Sequence, residues 1–257
     1  MNSETVQQRG QRLVDLHSSG EIIVLPTVWD AFSARIAVEA GFPALTVGSH
    51  PVAEAFGLPD GEAQPFDEYL EQVSRIAAAV DVPVSVDVES GYGLPPQELI
   101  RLVLETGAVG VNIEDTLHQE EGRVRGRQEL FDYIATAVEA AKGAGVPFVL
   151  NGRTDALVHG TELFEDPLAE ALERIQAMAE AGALSVYPVG LPDAASVKKA
   201  VDAVSVPLNV TADPIDGHPA GGLAQLRELG VRRVTFGPKW QARLKEPAAQ
   251  MLHAWRG

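Results

Sequence analysis

The chain has 257 residues, 46% hydrophobic and 22% charged, with a formal net charge of −16. That is enough apolar material for a sizeable core, and the acidic balance argues against nucleic acid and anionic membranes as partners. The chain contains no cysteine, which removes disulfides, zinc–thiolate sites and thiol nucleophiles. No apolar run reaches the roughly 18 residues that a spanning helix needs.

The first twenty residues, MNSETVQQRGQRLVDLHSSG, are polar and read as an added helix. They lack the apolar core of a signal peptide, so cytoplasmic residence is expected. Short apolar runs then follow at 22–27 (IIVLPT), 44–49 (ALTVGS), 82–88 (VPVSVDV) and 110–115 (GVNIED). Four more lie at 147–153 (PFVLNGR), 184–190 (LSVYPVG), 207–212 (PLNVTA) and 233–238 (RVTFGP). Between them, apolar residues recur at helical spacing. Phe66, Leu70, Val73, Ala77 and Val80 form one stripe; Leu168, Leu172, Ile175 and Ala179 form another, behind the N-cap signal Asp166-Pro167.

The strands read as near-continuously apolar, as parallel strands covered on both faces should be. Eight strands alternating with helices predict a closed (β/α)8 TIM-type barrel, with an open doubly wound sheet as the competitor. No linker or shift in composition interrupts the pattern, so residues 1–257 are expected to form one domain.

In such barrels the chemistry sits at the carboxyl ends of the strands. The stretch SVDVESGYG ends the third strand with Asp87 and Glu89, which alternation sends to the same face. Glu114 ends the neighbouring strand. Three carboxylates at one rim repel each other and need a counter-charge. None of the lysines (142, 198, 199, 239 and 245) is placed to provide it. An oxygen-only donor set favours Mg2+ or Mn2+ over Zn2+. In the competing reading, backbone N–H groups of the following loops cap these carboxylates. Arg153 suits a two-point grip on a substrate carboxylate or phosphoryl group; its alternative is a salt bridge to Glu114 or Asp115. His50 closes the second strand, as catalyst or structural hydrogen-bonder. Gly237-Pro238-Lys239 follows the last strand, where many barrels bind phosphate, or is a simple turn.

The motifs LPTVWDAFSARIAVEAGFPALTVGS, FGLPDGE, VDVESGYG, GAVGVNIED and NGRTDAL resemble, in order, those of the isocitrate lyase/phosphoenolpyruvate mutase superfamily. The resemblance implies a barrel, commonly tetrameric with an exchanged C-terminal helix, and hence a homo-oligomer (tetramer or dimer). It also implies a Mg2+-dependent enzyme that makes or breaks a C–C or P–C bond next to a 2-oxo or 2-hydroxy carboxylic acid, through an enolate-like intermediate. Carried over by motif, Asp87 resembles the direct metal ligand, with Glu89 and Glu114 reaching the metal through water. Asp60 resembles an acid near the reacting group. The amides of Ser49 and His50 resemble the donors to the substrate carboxylate, with Arg153 as its positive partner. Asn209, on the seventh strand, is also expected to bind substrate.

The loop after the fourth strand reads TLHQEEGRVRGR, where the lyases carry Lys-Lys-Cys-Gly-His. Cysteine-dependent isocitrate and methylisocitrate lyase activity are therefore not expected. His118, Arg123 and Arg125 are the replacement proton or anion partners, on a lid over 116–127, or they belong to a solvated loop. The alternative function is a catalytically retired barrel that binds a small carboxylate as sensor or scaffold.

Overall fold

Pro26 divides the first strand. A proline has no N–H to give to a ladder, and in the computed structural model, which describes residues 5–253 and 255–256, strand β1 runs as Ile23–Leu25 and resumes as Thr27–Val28. The first part pairs with the last strand and the second part with the next one. The other strands are β2 (Leu45–Val47), β3 (Val84–Asp87), β4 (Gly110–Ile113), β5 (Val149–Thr154), β6 (Ser185–Pro188), β7 (Asn209–Thr211) and β8 (Arg233–Thr235). Each pairs in parallel with its sequence neighbour, except that β6 meets β7 at a single parallel bridge from Val186 to Leu208. Strand order follows chain order and returns to its start, so the sheet is a closed (β/α)8 barrel and not an open doubly wound one.

The strands depart from the expected continuous apolar pattern. They alternate, with Val47, Val86, Val111, Leu150, Val210 and Val234 buried in the main core. Residues of the opposite parity, including Thr46, Asp87, Asn112, Asn151, Asn209 and Arg233, line a cavity inside the barrel. The apolar parity packs on the helices, and the polar parity fills the barrel, where a (β/α)8 fold more often stacks branched aliphatic residues.

Helix Phe66–Ala78 buries Tyr69, Leu70, Val73, Ile76 and Ala77, close to the expected stripe. Helix Pro167–Glu180 starts at Asp166, whose side chain accepts from the Ala169 N–H at 3.0 Å. Its buried face is rotated from the expected one, to Ala171, Arg174, Ile175 and Met178. The rotation follows from Arg174, which turns inward to pair with Asp115 at 3.1 Å.

The predicted N-terminal helix is Val6–Ser18; residues 1–4 of that expectation lie outside the described residues. It closes the amino end of the barrel through Leu13, which packs with Ile23, Leu25, Ala44, Val109 and Val149. A Cβ on Gly10 would lie 2.1 Å from the Pro147 carbonyl oxygen, so only glycine permits this close approach. The last helix, Lys239–His253, buries no described residue.

Candidate active site

The third strand stops earlier than alternation suggests. β3 ends at Asp87, and Glu89 lies beyond it with φ of 49°, in the left-handed region. The same-face argument for these two acids therefore fails at the backbone, and a tight turn brings them together instead. Asp87 Oδ1 accepts from the Glu89 N–H at 3.1 Å and from Asn112 Nδ2 at 3.0 Å. Asn151 Nδ2 in turn donates to Asn112 Oδ1 at 2.8 Å, so a rung of amides across β4 and β5 orients the Asp87 carboxylate. Glu62 and Tyr92 also have positive φ, 58° and 54°. Three non-glycine residues in this region around one rim store strain of order 1 kcal/mol or more each. Polar contacts hold it: Glu62 Oε1 accepts from the Ser90 and Tyr92 N–H groups at 3.1 and 2.8 Å, and Glu89 Oε2 accepts from the Glu62 N–H at 2.8 Å.

Glu114 lies just beyond β4, 1% exposed. Its Oε1 is 2.5 Å from His118 Nε2 and its Oε2 is 2.6 Å from Arg153 Nη1. His118 Nε2 is also 3.4 Å from Glu89 Oε2. Arg153 holds Asp155 through two bonds, of 2.8 and 3.1 Å, and approaches Asp87 at 3.7 Å. In this structure the counter-charge for the acids is thus Arg153 together with His118. The salt bridge from Arg153 to Glu114, one of its two expected roles, is present.

Burial dominates the electrostatics. It pushes Asp87 above the usual carboxylate range against the pull of Arg153 and Asn112. It pushes Glu89 to about 8, helped by Asp60 and Asp87. Glu114 rises as well, through burial against Arg153. His118 is raised by its hydrogen bond to Glu114, which favours the imidazolium. Burial works against the charge on Arg153, but Glu114, Asp155 and Asp87 outweigh it and keep the guanidinium protonated.

Beside this cluster opens a cavity of about 450 Å3. Asp87 and Arg153 line it on one side, with Gly48, Ser49, His50 and Asp60 at its mouth. Helix Ser49–Phe56 begins here; Pro51 has no N–H and Val52 donates to the Gly48 carbonyl at 3.2 Å, which leaves the Ser49 and His50 N–H groups without a carbonyl partner within the helix, an arrangement that suits an anion. His50 Nδ1 is 3.1 Å from Asp60 Oδ2. Asn209 lies deeper, donating to Thr235 Oγ1 at 3.4 Å.

The 116–127 segment is an antiparallel hairpin, Thr116–Leu117 with Arg123–Val124, enclosing a short 3-10 turn from His118. It carries His118 to the acids, but Arg123 is turned away. Arg123 is exposed and bonded to Glu120 at 2.8 Å and to Glu129 at 2.8 and 2.9 Å, so it is a surface brace and not a group at the mouth. Arg125 is buried over the Tyr133 ring at 4.0 Å and donates to the Glu114 and Ser90 carbonyls, tying the base of the hairpin to the rim. Asp115 accepts from Thr154, the Asp155 N–H and Arg174, which makes it part of the framework.

The donor set fits a divalent cation. Carboxylate oxygens of Glu89 and Glu114 and the His118 Nε2 all lie within 4.8 Å of one another, with Asp87 beside them through the turn. Three buried carboxylates shifted toward protonation are what a cation at this place would relieve.

A model of the phosphoenolpyruvate phosphomutase family matches residues 13–254. The chain belongs to that family. Members of the wider isocitrate lyase/phosphoenolpyruvate mutase superfamily are Mg2+-dependent enzymes that cleave C–C or P–C bonds next to oxo acids. The chain is 32% identical over 217 residues to the 2-methylisocitrate lyase of Escherichia coli (strain K12), covering 80% of this chain and 71% of that one. It is 31% identical over 218 residues to the oxaloacetate decarboxylase of Paraburkholderia xenovorans (strain LB400), covering 82% and 70%. A candidate phosphonomutase from Burkholderia cenocepacia J2315 superposes with a TM-score of 0.86 at 36% identity, over 95% of this chain and 99% of that one. These likenesses overturn one sequence expectation. The missing cysteine argued against methylisocitrate lyase chemistry, yet curated 2-methylisocitrate lyases are among the most similar relatives, so the exclusion does not stand. A single loop residue was weighed against a similarity that runs through most of the barrel.

Proposed function

We propose that this chain is a divalent-cation-dependent lyase or phosphonomutase-like isomerase, built as one barrel domain over 1–257. It makes or breaks a C–C or P–C bond next to a 2-oxo or 2-hydroxy carboxylic acid. The observation that carries this reading is that Asp87, Arg153 and the first amides of helix Ser49–Phe56 surround one cavity. Directly beside it stand Glu89, Glu114 and His118. Asp87, Glu89 and Glu114 hold Mg2+ or Mn2+, which when bound supplies Lewis-acid polarisation of a substrate oxygen.

The chain's own residues do the rest. Arg153 and the Ser49 and His50 amides bind and orient the carboxylate and stabilise negative charge as it develops on the enolate. Asp60, bonded to His50, fixes that side of the mouth. His118 holds a proton at Nε2 next to the acids, and the 116–127 hairpin excludes water. The protein is a cytoplasmic homo-oligomer, tetramer or dimer, and exposed Met251, Leu252 and Trp255 near the C-terminus support an exchange of the last helix between copies.

The test is a screen of oxaloacetate, phosphonopyruvate, 2-methylisocitrate and substituted malates with Mg2+ or Mn2+, on wild type and Asp87→Ala. Turnover that requires the cation and vanishes in the variant is expected. Equal rates with and without cation refute the reading. A ligand that raises thermal stability without any turnover favours the sensor or scaffold alternative.

A further inference from the structure

The floor of the cavity is a buried cation with no carboxylate in direct contact among the described residues. Arg233, on β8, is 1% exposed and lines the cavity, and it forms no ion pair among the described residues. Its Nη1 lies 3.3 Å from His17 Nε2, and its Nε has no hydrogen-bond partner among the described residues. His17 comes from the N-terminal helix, and its Nδ1 donates to the Leu13 carbonyl at 2.8 Å. That bond leaves a lone pair on Nε2 to receive the guanidinium. Burial and the nearby Arg233 keep the imidazole neutral, lowering it to about 3. Burial lowers Arg233 to about 10 against the pull of Asp87 and Tyr187, so it stays charged at neutral pH.

A buried guanidinium with no carboxylate in direct contact is costly unless something answers its charge, and Asp87 acts on it only from beyond ion-pair distance. The cavity wall above it adds positive character. Lys239, at the start of the last helix, and His218 both line the same cavity. His218 Nδ1 accepts from the Ala220 N–H at 3.0 Å, so a neutral ring carries its proton on the other nitrogen, as a donor.

We propose that Arg233, held from beneath by His17 and assisted by Lys239 and His218, anchors a second anionic group of the substrate, separate from the group that Arg153 holds. This rests on the function proposed above for the occupant of the Arg153 end. The ligand class is a dianion whose second group is a carboxylate or a phosphonate, and His17 acts as a positioning residue.

Calorimetric titration in Mg2+ tests this with oxalate, succinate, 3-phosphonopropionate and butyrate. Oxalate probes the Arg153 end alone. Succinate and 3-phosphonopropionate add the second charge and separate its two sources, while butyrate removes it. Wild type is expected to prefer at least one dianion to butyrate by tenfold or more. Arg233→Gln is expected to reduce that preference below threefold, with oxalate affinity within about twofold of wild type. Lys239→Gln reduces it less. His17→Leu lowers the preference, and His17→Gln, which keeps an acceptor, restores it; this pair carries the test should R233Q fail to fold. Oxalate binding without any dianion preference in wild type overturns the inference, as does a folded R233Q that keeps the full preference. A dianion preference that depends on Arg233, in a protein that does not bind oxalate, upholds this anchor and instead refutes the function proposed for the Arg153 end.

Discussion

Replacing Arg153 separates a structural ion pair from a substrate anchor. Its guanidinium faces Glu114 at 2.6 Å, Asp155 at 2.8 and 3.1 Å, and Asp87 at 3.7 Å. Arg153→Met leaves three carboxylates without a neighbouring guanidinium, and breaking a buried pair in this way costs about 3–5 kcal/mol. At roughly 2–4 °C per kcal/mol for a chain of this size, the melting temperature should fall by about 10 °C. Arg153→Lys keeps the charge but loses the two-point bond to Asp155, so it should cost only about 1–2 kcal/mol of stability. Its effect on catalysis should be far larger. A lysine cannot make the paired bonds to a substrate carboxylate, and losing about 3–4 kcal/mol of charge-assisted bonding lowers kcat/KM by about 100- to 1,000-fold. Differential scanning calorimetry and steady-state kinetics on both variants, with the substrate found in the screen, measure the two effects separately. An R153K enzyme within fivefold of wild-type kcat/KM would show that the arginine is framework only.

Three further outcomes follow from the geometry. Burial raises Glu89 from an ordinary 4.5 to about 8, so the folded protein binds a proton there that the unfolded chain has lost. Stability from this group is present below about pH 4.5 and is lost as pH rises through about 8; cation-free protein should weaken by a few kcal/mol across that window, and a flat profile in chelator would contradict it. Gly10→Ala drives a Cβ to 2.1 Å from the Pro147 oxygen, and should cost about 1–3 kcal/mol in chemical denaturation; an unchanged midpoint would mean that the N-terminal helix is not seated there. Arg123→Ala should leave kcat/KM within about twofold, because its partners are the exposed Glu120 and Glu129; a hundredfold loss would return it to the mouth.

Much of the barrel was legible because its signals are local. Six of the eight apolar runs contain their strand, the first and fifth fall one residue short of its end, and Asp87, Glu114 and Arg153 meet because neighbouring strands end at one rim. Glu89 was misplaced because alternation holds only while the strand lasts, and here the backbone turns left-handed two residues after Asp87. Glu62, which bonds Ser90 and Tyr92, was missed because its partners lie 28 and 30 residues away. The polar interior left a trace that was not used: Arg233 shares parity with Thr235, and Asn209 with Thr211, along strands otherwise read as apolar. Arg123 differed because it and Arg125, two residues apart, have different neighbours, and only the folded hairpin decides which faces solvent.

The break at Pro26 and the lone bridge between Val186 and Leu208 divide the barrel wall into a six-stranded and a three-stranded arc. Asp87 and Arg153 belong to the larger arc, while Asn209 and Arg233 belong to the smaller. A ligand spanning the cavity would clasp both arcs across thinly stitched joints.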